Sequence, residues 1–198
     1  HLNDQAETVL MRALKGLGPE ALKGIPQGRS LSKGRLYRPW LSVSRAVLVS
    51  AVKKHGLSWV EDESNQDSRY ERNYLRNEVL PLLSQRQPAI VQNLGMLAQK
   101  SYETSEFIRE WCESQQQVFL SVPYADCMAL EVNKVKTYSI RQQAFIVRYW
   151  LDQLGVSHPA EGNFQRIFDE LFTANSDSKA EICWQGNVLR VFNGALFC

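Results

Sequence analysis

Long apolar runs are missing from this 198-residue chain. No window approaches the roughly 18 consecutive apolar residues of a membrane-spanning helix, and the first 30 residues lack the basic-then-apolar order of a secretory signal. Cysteine is scarce and scattered: Cys112, Cys127, Cys183 and Cys198 form no CxxC pair, which excludes a dense disulfide framework and a cysteine zinc site. A reducing cytoplasm is the expected compartment. Glycine-rich phosphate loops, HExxH and a Ser/His/Asp nucleophile arrangement are all lacking, and no internal repeat is visible. His55 and His158 have no ligand-spaced partner, so no protein-held metal is expected. The net charge of +2 offers nothing about partners until it is divided.

Residues 1–60 hold ten Lys/Arg against three Asp/Glu, residues 61–90 four against six, and residues 91–198 nine against twelve. The first third is therefore basic. Such clustering suits a phosphate-bearing partner, because each cation that neutralises a phosphate releases condensed counterions; a solvated basic surface is the alternative.

Asp4-Gln5-Ala6-Glu7 has the spacing of a capping box, and Val9, Leu10, Ala13, Leu14 and Leu17 follow at helical spacing up to Gly16 and Gly18. The basic, glycine-rich stretch up to Gly34 reads as turns and mobile chain, and Leu36–Leu41 as a short strand broken by Pro39. Ser44 caps a helix that ends in Lys53-Lys54-His55-Gly56, cations at the negative end of the dipole and a glycine for the left-handed turn. An acidic loop, Trp59 to Asp67, leads into a helix that sets Arg72 and Arg76 four apart on one face, with Pro81 bending or restarting the chain. From Pro88 the series Ile90, Leu94, Leu97, Ser101, Ser105, Ile108, Cys112 marks a helix of roughly 25 residues, its serines suited to close packing. Beyond it the chain predicts a strand at Met128–Val132, helices over Ser139–Leu154 and Gly162–Phe172, and a hairpin or meander over Ala180–Trp184, Val188–Phe192 and Ala195–Cys198. Phe145, Tyr149, Trp150, Phe164, Phe168 and Phe172 are placed in the core of this second module.

Two polar constellations stand out. His1, Asn3, Asp4, Gln5 and Glu7 gather at a helix start, where carboxylates can hold an ammonium group or only cap the helix. Arg72, Asn73 and Arg76 can grip a phosphate or a transition-state anion, or the arginines can pair with Glu61, Asp62 or Glu63 and fasten the loop.

The order of motifs narrows these alternatives. His1-Leu2-Asn3-Asp4-Gln5-Ala6-Glu7-Thr8, Arg38-Pro39-Trp40-Leu41, Glu61-Asp62-Glu63-Ser64-Asn65, Tyr70-Glu71-Arg72-Asn73 with Arg76, and Leu80-Pro81-Leu82-Leu83 together resemble the tRNA(Ile)-lysidine synthases, N-type ATP pyrophosphatases. The likeness is dense over residues 1–86 and looser to Cys198. It implies an ATP-dependent ligase that adenylates the wobble cytidine of a CAU-anticodon tRNA(Ile) and then attaches L-lysine, displacing AMP. It also implies an α+β chain, mainly α with minor β. Residues 1–86 would be the C-terminal portion of the catalytic α/β domain, 87–118 a connecting long helix, and 119–198 a helical substrate-binding module ending in a β-hairpin or meander.

By position the resemblance makes Asp4 and Glu7 the lysine-binding residues and Arg72 and His1 catalytic, with Arg38, Arg76 and Asn73 binding phosphate or tRNA. Asn3 stands where many members carry Asp. The implied ligands are ATP with Mg2+, L-lysine and tRNA(Ile), with no membrane partner; apolar helix faces that lack their sheet would be relieved by self-association as a homodimer or by partial disorder. The family's glycine-serine phosphate loop does not occur in this sequence, so the chain reads as a piece of a longer protein that is inactive alone. Two other readings are a non-catalytic RNA-binding helical module, in which the basic third tracks a tRNA backbone, and a helical scaffold whose arginines are structural.

Overall fold

A computed structural model describes residues 1–60, 62–124, 127–173 and 180–198. The chain divides into two compact units, His1–Glu106 and Phe107–Cys198, and the division falls within one long helix. None of the described helices is long and apolar enough to cross a membrane.

In the first unit, helix α1 spans Leu2–Leu14 and opens with a capping box one turn earlier than the sequence suggests. His1 Nδ1 accepts from the Asp4 amide at 3.2 Å, and Asp4 Oδ2 accepts from the His1 backbone nitrogen at 2.9 Å. Asp4 is thus the return half of the box, which frees Glu7 to turn inward. After the one-turn helix α2 (Pro19–Leu22), the stretch expected to be mobile is an antiparallel hairpin. Strands β1 (Gly28–Leu31) and β2 (Gly34–Tyr37) pair Arg29 with Leu36 and Ser30 with Arg35, and Ser32 takes a positive φ of 49° in the tight turn. The strand expected over Leu36–Leu41 therefore starts earlier and ends two residues before Pro39.

Three side chains from α1 hold this region in place. Gln5 bonds both ways with the backbone of Ile25, Oε1 from its amide at 2.6 Å and Nε2 to its carbonyl at 3.1 Å. Arg12 Nη1 donates to the carbonyls of Ala21 and Gly24 at 2.7 and 2.8 Å. Asn3 Oδ1 accepts from the Arg45 amide at 2.9 Å, satisfying a free donor at the start of helix α3 (Arg45–Lys54). Ser44 caps α3 and Gly56 follows it at φ 64°, as the sequence reading expects.

Helix α4 (Glu71–Tyr74) runs through a π-helical turn, Leu75–Val79, into helix α5 (Leu80–Arg86), so Pro81 sits at the start of α5 and does not break the run. Helix α6 covers Ile90–Phe119, beginning three residues after and ending one residue after the 87–118 expected for the connecting segment, and contributes to both units. Its small residues do pack closely: Gly95 leaves room for the Leu2 side chain, and Ser105 Oγ donates to Glu20 Oε1 at 2.5 Å.

The second unit is built on a five-stranded antiparallel sheet, β3 (Leu120–Tyr124), β4 (Cys127–Glu131), β5 (Glu181–Trp184), β6 (Asn187–Phe192) and β7 (Ala195–Phe197), in the order β3-β4-β7-β6-β5. The predicted meander is present, and β7 joins it to a second hairpin, β3–β4, whose first strand the sequence reading missed. After the short α7 (Val132–Val135), helix α8 (Ile140–Gln153) carries the Ser139–Gln142 capping box, and α9 (Glu161–Arg166) continues as a π-helical turn to Leu171. Ile146, Trp150, Ile167, Leu171, Ile182, Leu189 and Leu196 close one core between sheet and helices. Burial holds the Cys112 thiol at about 12, well above its ordinary value, so it behaves as a core residue.

Trp150 is fully buried and its indole Nε1 donates to the Met128 carbonyl at 3.2 Å. Trp150→Ala is expected to cost about 3–5 kcal/mol of unfolding stability, checked by urea denaturation. In the first unit Gly24 holds φ 69°, and a Cβ there would lie 2.5 Å from Gln5 Oε1. Gly24→Ala should therefore lower the first unit's stability by about 1 kcal/mol or more, measured as faster amide exchange at Ile25.

Candidate functional site

The two polar constellations meet. Arg72 and Arg76 lie four apart on one face, and across from them Asp4 and Glu7 lie three apart on α1. Glu7 is 1% exposed, and both of its oxygens are committed. Arg72 Nε donates to Oε2 at 2.8 Å, Arg76 Nε to Oε1 at 2.7 Å and Arg76 Nη2 to Oε2 at 2.9 Å. Asp4 Oδ1 accepts from Arg72 Nη2 at 2.8 Å and Arg76 Nη2 at 3.3 Å. The Glu7 hydrogen bond raises the Arg76 guanidinium above its ordinary value, so it stays charged at any working pH.

The arginines thus pair with carboxylates 65 to 72 positions away. Local pairing was the other expectation. Of the three local acids it names, Asp62 instead accepts from the Ser64 amide, while Glu61 lies outside the described residues. Exposure separates the roles of the four groups. Glu7 is closed off, Asp4 is one-quarter exposed, and Arg72 is 44% exposed, with Nε and Nη2 donating to the two carboxylates. Glu7 therefore offers no free oxygen to a ligand in this arrangement; it fixes both guanidiniums.

The neighbouring loop is tied to the same helix. A 3-10 turn spans Glu63–Gln66, and Asn73 Nδ2 donates to the carbonyls of Ser64 at 2.8 Å and Asp67 at 3.0 Å. Arg76 Nη1 reaches Asn65 Oδ1 at 3.3 Å, and Asn77 Nδ2 reaches the Asn65 carbonyl at 3.0 Å. Asn73 is buried in this clamp, so its amide is spent on the backbone and is not presented to a phosphate. Asn65 and Asn77 complete the clamp and were not singled out in the sequence; an Asn-rich run after an acidic loop was the available signal.

Arg38 is not brought to the cluster: its Nη1 donates to the Pro26 carbonyl at 3.0 Å, beside the hairpin. His1 lies at the cluster through its cap on α1. Two carboxylates already neutralised by two guanidiniums are a poor donor set for a hard cation, and no group of three or more His, Cys, Asp or Glu side chains among the described residues is arranged to hold a metal.

Comparison with known proteins finds two family regions along the chain. Residues 1–83 match the family model of a PP-loop domain, and residues 130–197 match that of the TilS substrate binding domain. The whole chain aligns at 32% identity with the tRNA(Ile)-lysidine synthase of Vibrio parahaemolyticus serotype O3:K6, covering 44% of that protein. It aligns at 31% with the enzyme of Legionella pneumophila strain Lens, covering 45%, and over 92% of the chain at 34% with that of Serratia proteamaculans, covering 41%. The chain thus spans less than half the length of these relatives.

Two measurements check the clamp. Asn73→Asp removes two donors and turns a carboxylate toward two carbonyls, so it is expected to cost about 2–3 kcal/mol of local stability, against about 1 kcal/mol for Asn73→Ser, read from amide exchange across 62–67. Donation from Arg69 holds the Asp67 carboxyl below its ordinary value of 3.8, and the Ser64 hydrogen bonds do the same for Asp62. A depressed carboxylate contributes stability above its unfolded value and loses it as pH falls through the folded one. The loop is therefore expected to hold at neutral pH and to loosen only below 3.8, seen in carboxyl carbon shifts.

Proposed function

We propose that this chain is part of a tRNA(Ile)-lysidine synthase, a reading supported by the PP-loop and TilS substrate-binding matches in that order and by the 31–34% identity to such enzymes, and that its protein ligates L-lysine to the wobble cytidine of CAU-anticodon tRNA(Ile) through an adenylated base. The observation that carries this reading is the neutral two-plus-two cluster in which one carboxylate and one guanidinium, Asp4 and Arg72, are partly open while Glu7 is closed.

Such a cluster receives a cation and an anion together without gaining net charge. The ammonium of lysine takes Asp4 as acceptor, and the phosphate of ATP or of the adenylated base takes the outer edge of Arg72 as donor. Each ligand replaces part of an existing ion pair, so neither protein group is left unpaired. Arg72 then stabilises charge that grows on the phosphate oxygens during adenylyl transfer. Asp4 orients lysine toward the adenylated base and is placed to accept the proton that the ammonium must lose before the amine attacks. Glu7 and Arg76 keep Arg72 in place, and His1 orients Asp4 through the cap. The phosphate-gripping glycine-serine loop is not among these residues, so this chain supplies the lysine side and one phosphate donor of the site. A divalent ion, where ATP brings one, would ride on the nucleotide phosphates.

The test separates the two ligands in the full protein. Arg72→Ala is expected to lower tRNA-dependent pyrophosphate release by about 10²–10³-fold. Asp4→Asn should raise the lysine concentration needed for AMP release by ten-fold or more while leaving pyrophosphate release near wild type. Pyrophosphate release unchanged in Arg72→Ala would remove the phosphate role. Equal loss of both steps and of tRNA binding in Asp4→Asn would mark a folding role instead.

A further inference from the structure

The hairpin β1–β2 has no part in the cluster just described, and no described element closes over it. Every residue of β1 and all of β2 except Leu36 is exposed. It lies inside a window, residues 21–60, with eight Lys/Arg and no Asp or Glu. Four of those eight cations, Arg29, Lys33, Arg35 and Arg38, sit on the hairpin or directly after it.

The register fixes how they are presented. Residues directly opposite share a face, so Ser30, Arg35 and Tyr37 lie on one side of the ribbon and Arg29, Leu31 and Leu36 on the other, with Lys33 in the turn. Guanidiniums therefore point from both faces and an ammonium from the tip. Arg29, Lys33 and Arg35 form no ion pair with any described residue. Two aromatic rings flank the cations: Tyr37 and Trp40 are each 62% exposed. Cations on a free strand edge also discourage pairing with another chain. That role does not call for two exposed rings beside them, whereas a nucleic acid uses both, its phosphates meeting guanidinium forks and its unpaired bases stacking on flat rings.

We propose that the hairpin Gly28–Tyr37, with Arg38 and Trp40 at its base, is an arm that grips the RNA substrate, Arg29, Lys33 and Arg35 on backbone phosphates and Trp40 under an unpaired base. This rests on reading the protein as one that acts on RNA, and it adds to that reading a surface separate from the reacting groups.

The experiment uses the full protein and an unmodified RNA stem-loop carrying a CAU loop, with affinity measured by fluorescence anisotropy between roughly 50 and 200 mM salt. The triple variant Arg29→Gln, Lys33→Gln, Arg35→Gln should bind more weakly and show a log K against log salt slope shallower by about 2–3. Arg29→Lys with Arg35→Lys keeps the charges and should keep the slope. If the triple variant fails to fold, Arg35→Gln alone, one exposed strand residue, should flatten the slope by about 0.7–0.9. Trp40→Ala should weaken binding about five-fold or more at every salt concentration without changing the slope. An unchanged slope in the charge variants overturns the arm. So does hairpin-dependent binding to phosphatidylserine vesicles combined with an unchanged RNA slope. A wild-type protein that binds the stem-loop but forms no lysidine would contradict the enzymatic reading alone, since the slopes remain measurable.

Discussion

Burying a carboxylate is costly unless charge and hydrogen bonds follow it, and the first unit is organised around one that is buried this way. Glu7 is sealed on α1, and what makes that tolerable is the pair of guanidiniums that arrives from a helix 65 and more residues later. Removing either side would strand a charge, so α1 and the α4 run are held in one register. Few apolar residues of this unit are deeply buried; Ala6, Val9, Leu75, Leu80 and Ala98 are the main ones, and three of them lie within two residues of Glu7 or Arg76. Position here is set by charge geometry more than by oil.

From that constraint the rest of the site follows. With Glu7 closed, Arg76 is fixed, and its remaining nitrogen reaches Asn65 and ties down the acidic loop together with Asn73 and Asn77. With Arg72 held by two of its nitrogens, its third edge has a defined direction. Asp4 is held through its own cap and keeps partial exposure. A loosely paired surface arginine would spread over many rotamers, so the closed carboxylate is what turns an open one into an oriented donor. The second unit is held differently, by an apolar core between an antiparallel sheet and α8, with aromatic edges meeting across it. That division of labour matches the two family regions found along the chain.

Much of this was legible in the sequence where the signal was local. Ser44 as a cap, Gly56 as a stop, the helix start at Ser139, the long α6 and the C-terminal meander all rest on side chains that act within one turn or one hairpin. Failures came where a residue's partner lies far along the chain. Glu7 looked like the second half of a capping box because its spacing from Asp4 allows it, and only the arrival of Arg72 and Arg76 turns it inward. Pairing of the arginines with the adjacent acids is one of the alternatives the local spacing leaves open, and the distant carboxylates are what it does not show. The hairpin was read as mobile because Gly28, Gly34 and four polar residues between them lack a strand's apolar alternation; both faces are solvated, so no such alternation is required of it. Strand β3 was hidden because Leu120-Ser121-Val122 follows α6 without a turn signal. Motif order singles out Asp4, Glu7, Arg72 and Arg76 as candidates, while their geometry, one closed carboxylate and one open, is information only the fold contains.

The most direct measurement of the central claim is a double-mutant cycle between Glu7→Gln and Arg76→Gln, read as amide-exchange protection in α1 and across the π-helical turn. If the buried carboxylate and its guanidiniums set the register of the two segments, the pair couples by about 1.5–3 kcal/mol, and each single variant loosens both helices together. Coupling within about 0.5 kcal/mol of zero, with loosening confined to the segment that carries the substitution, would contradict it.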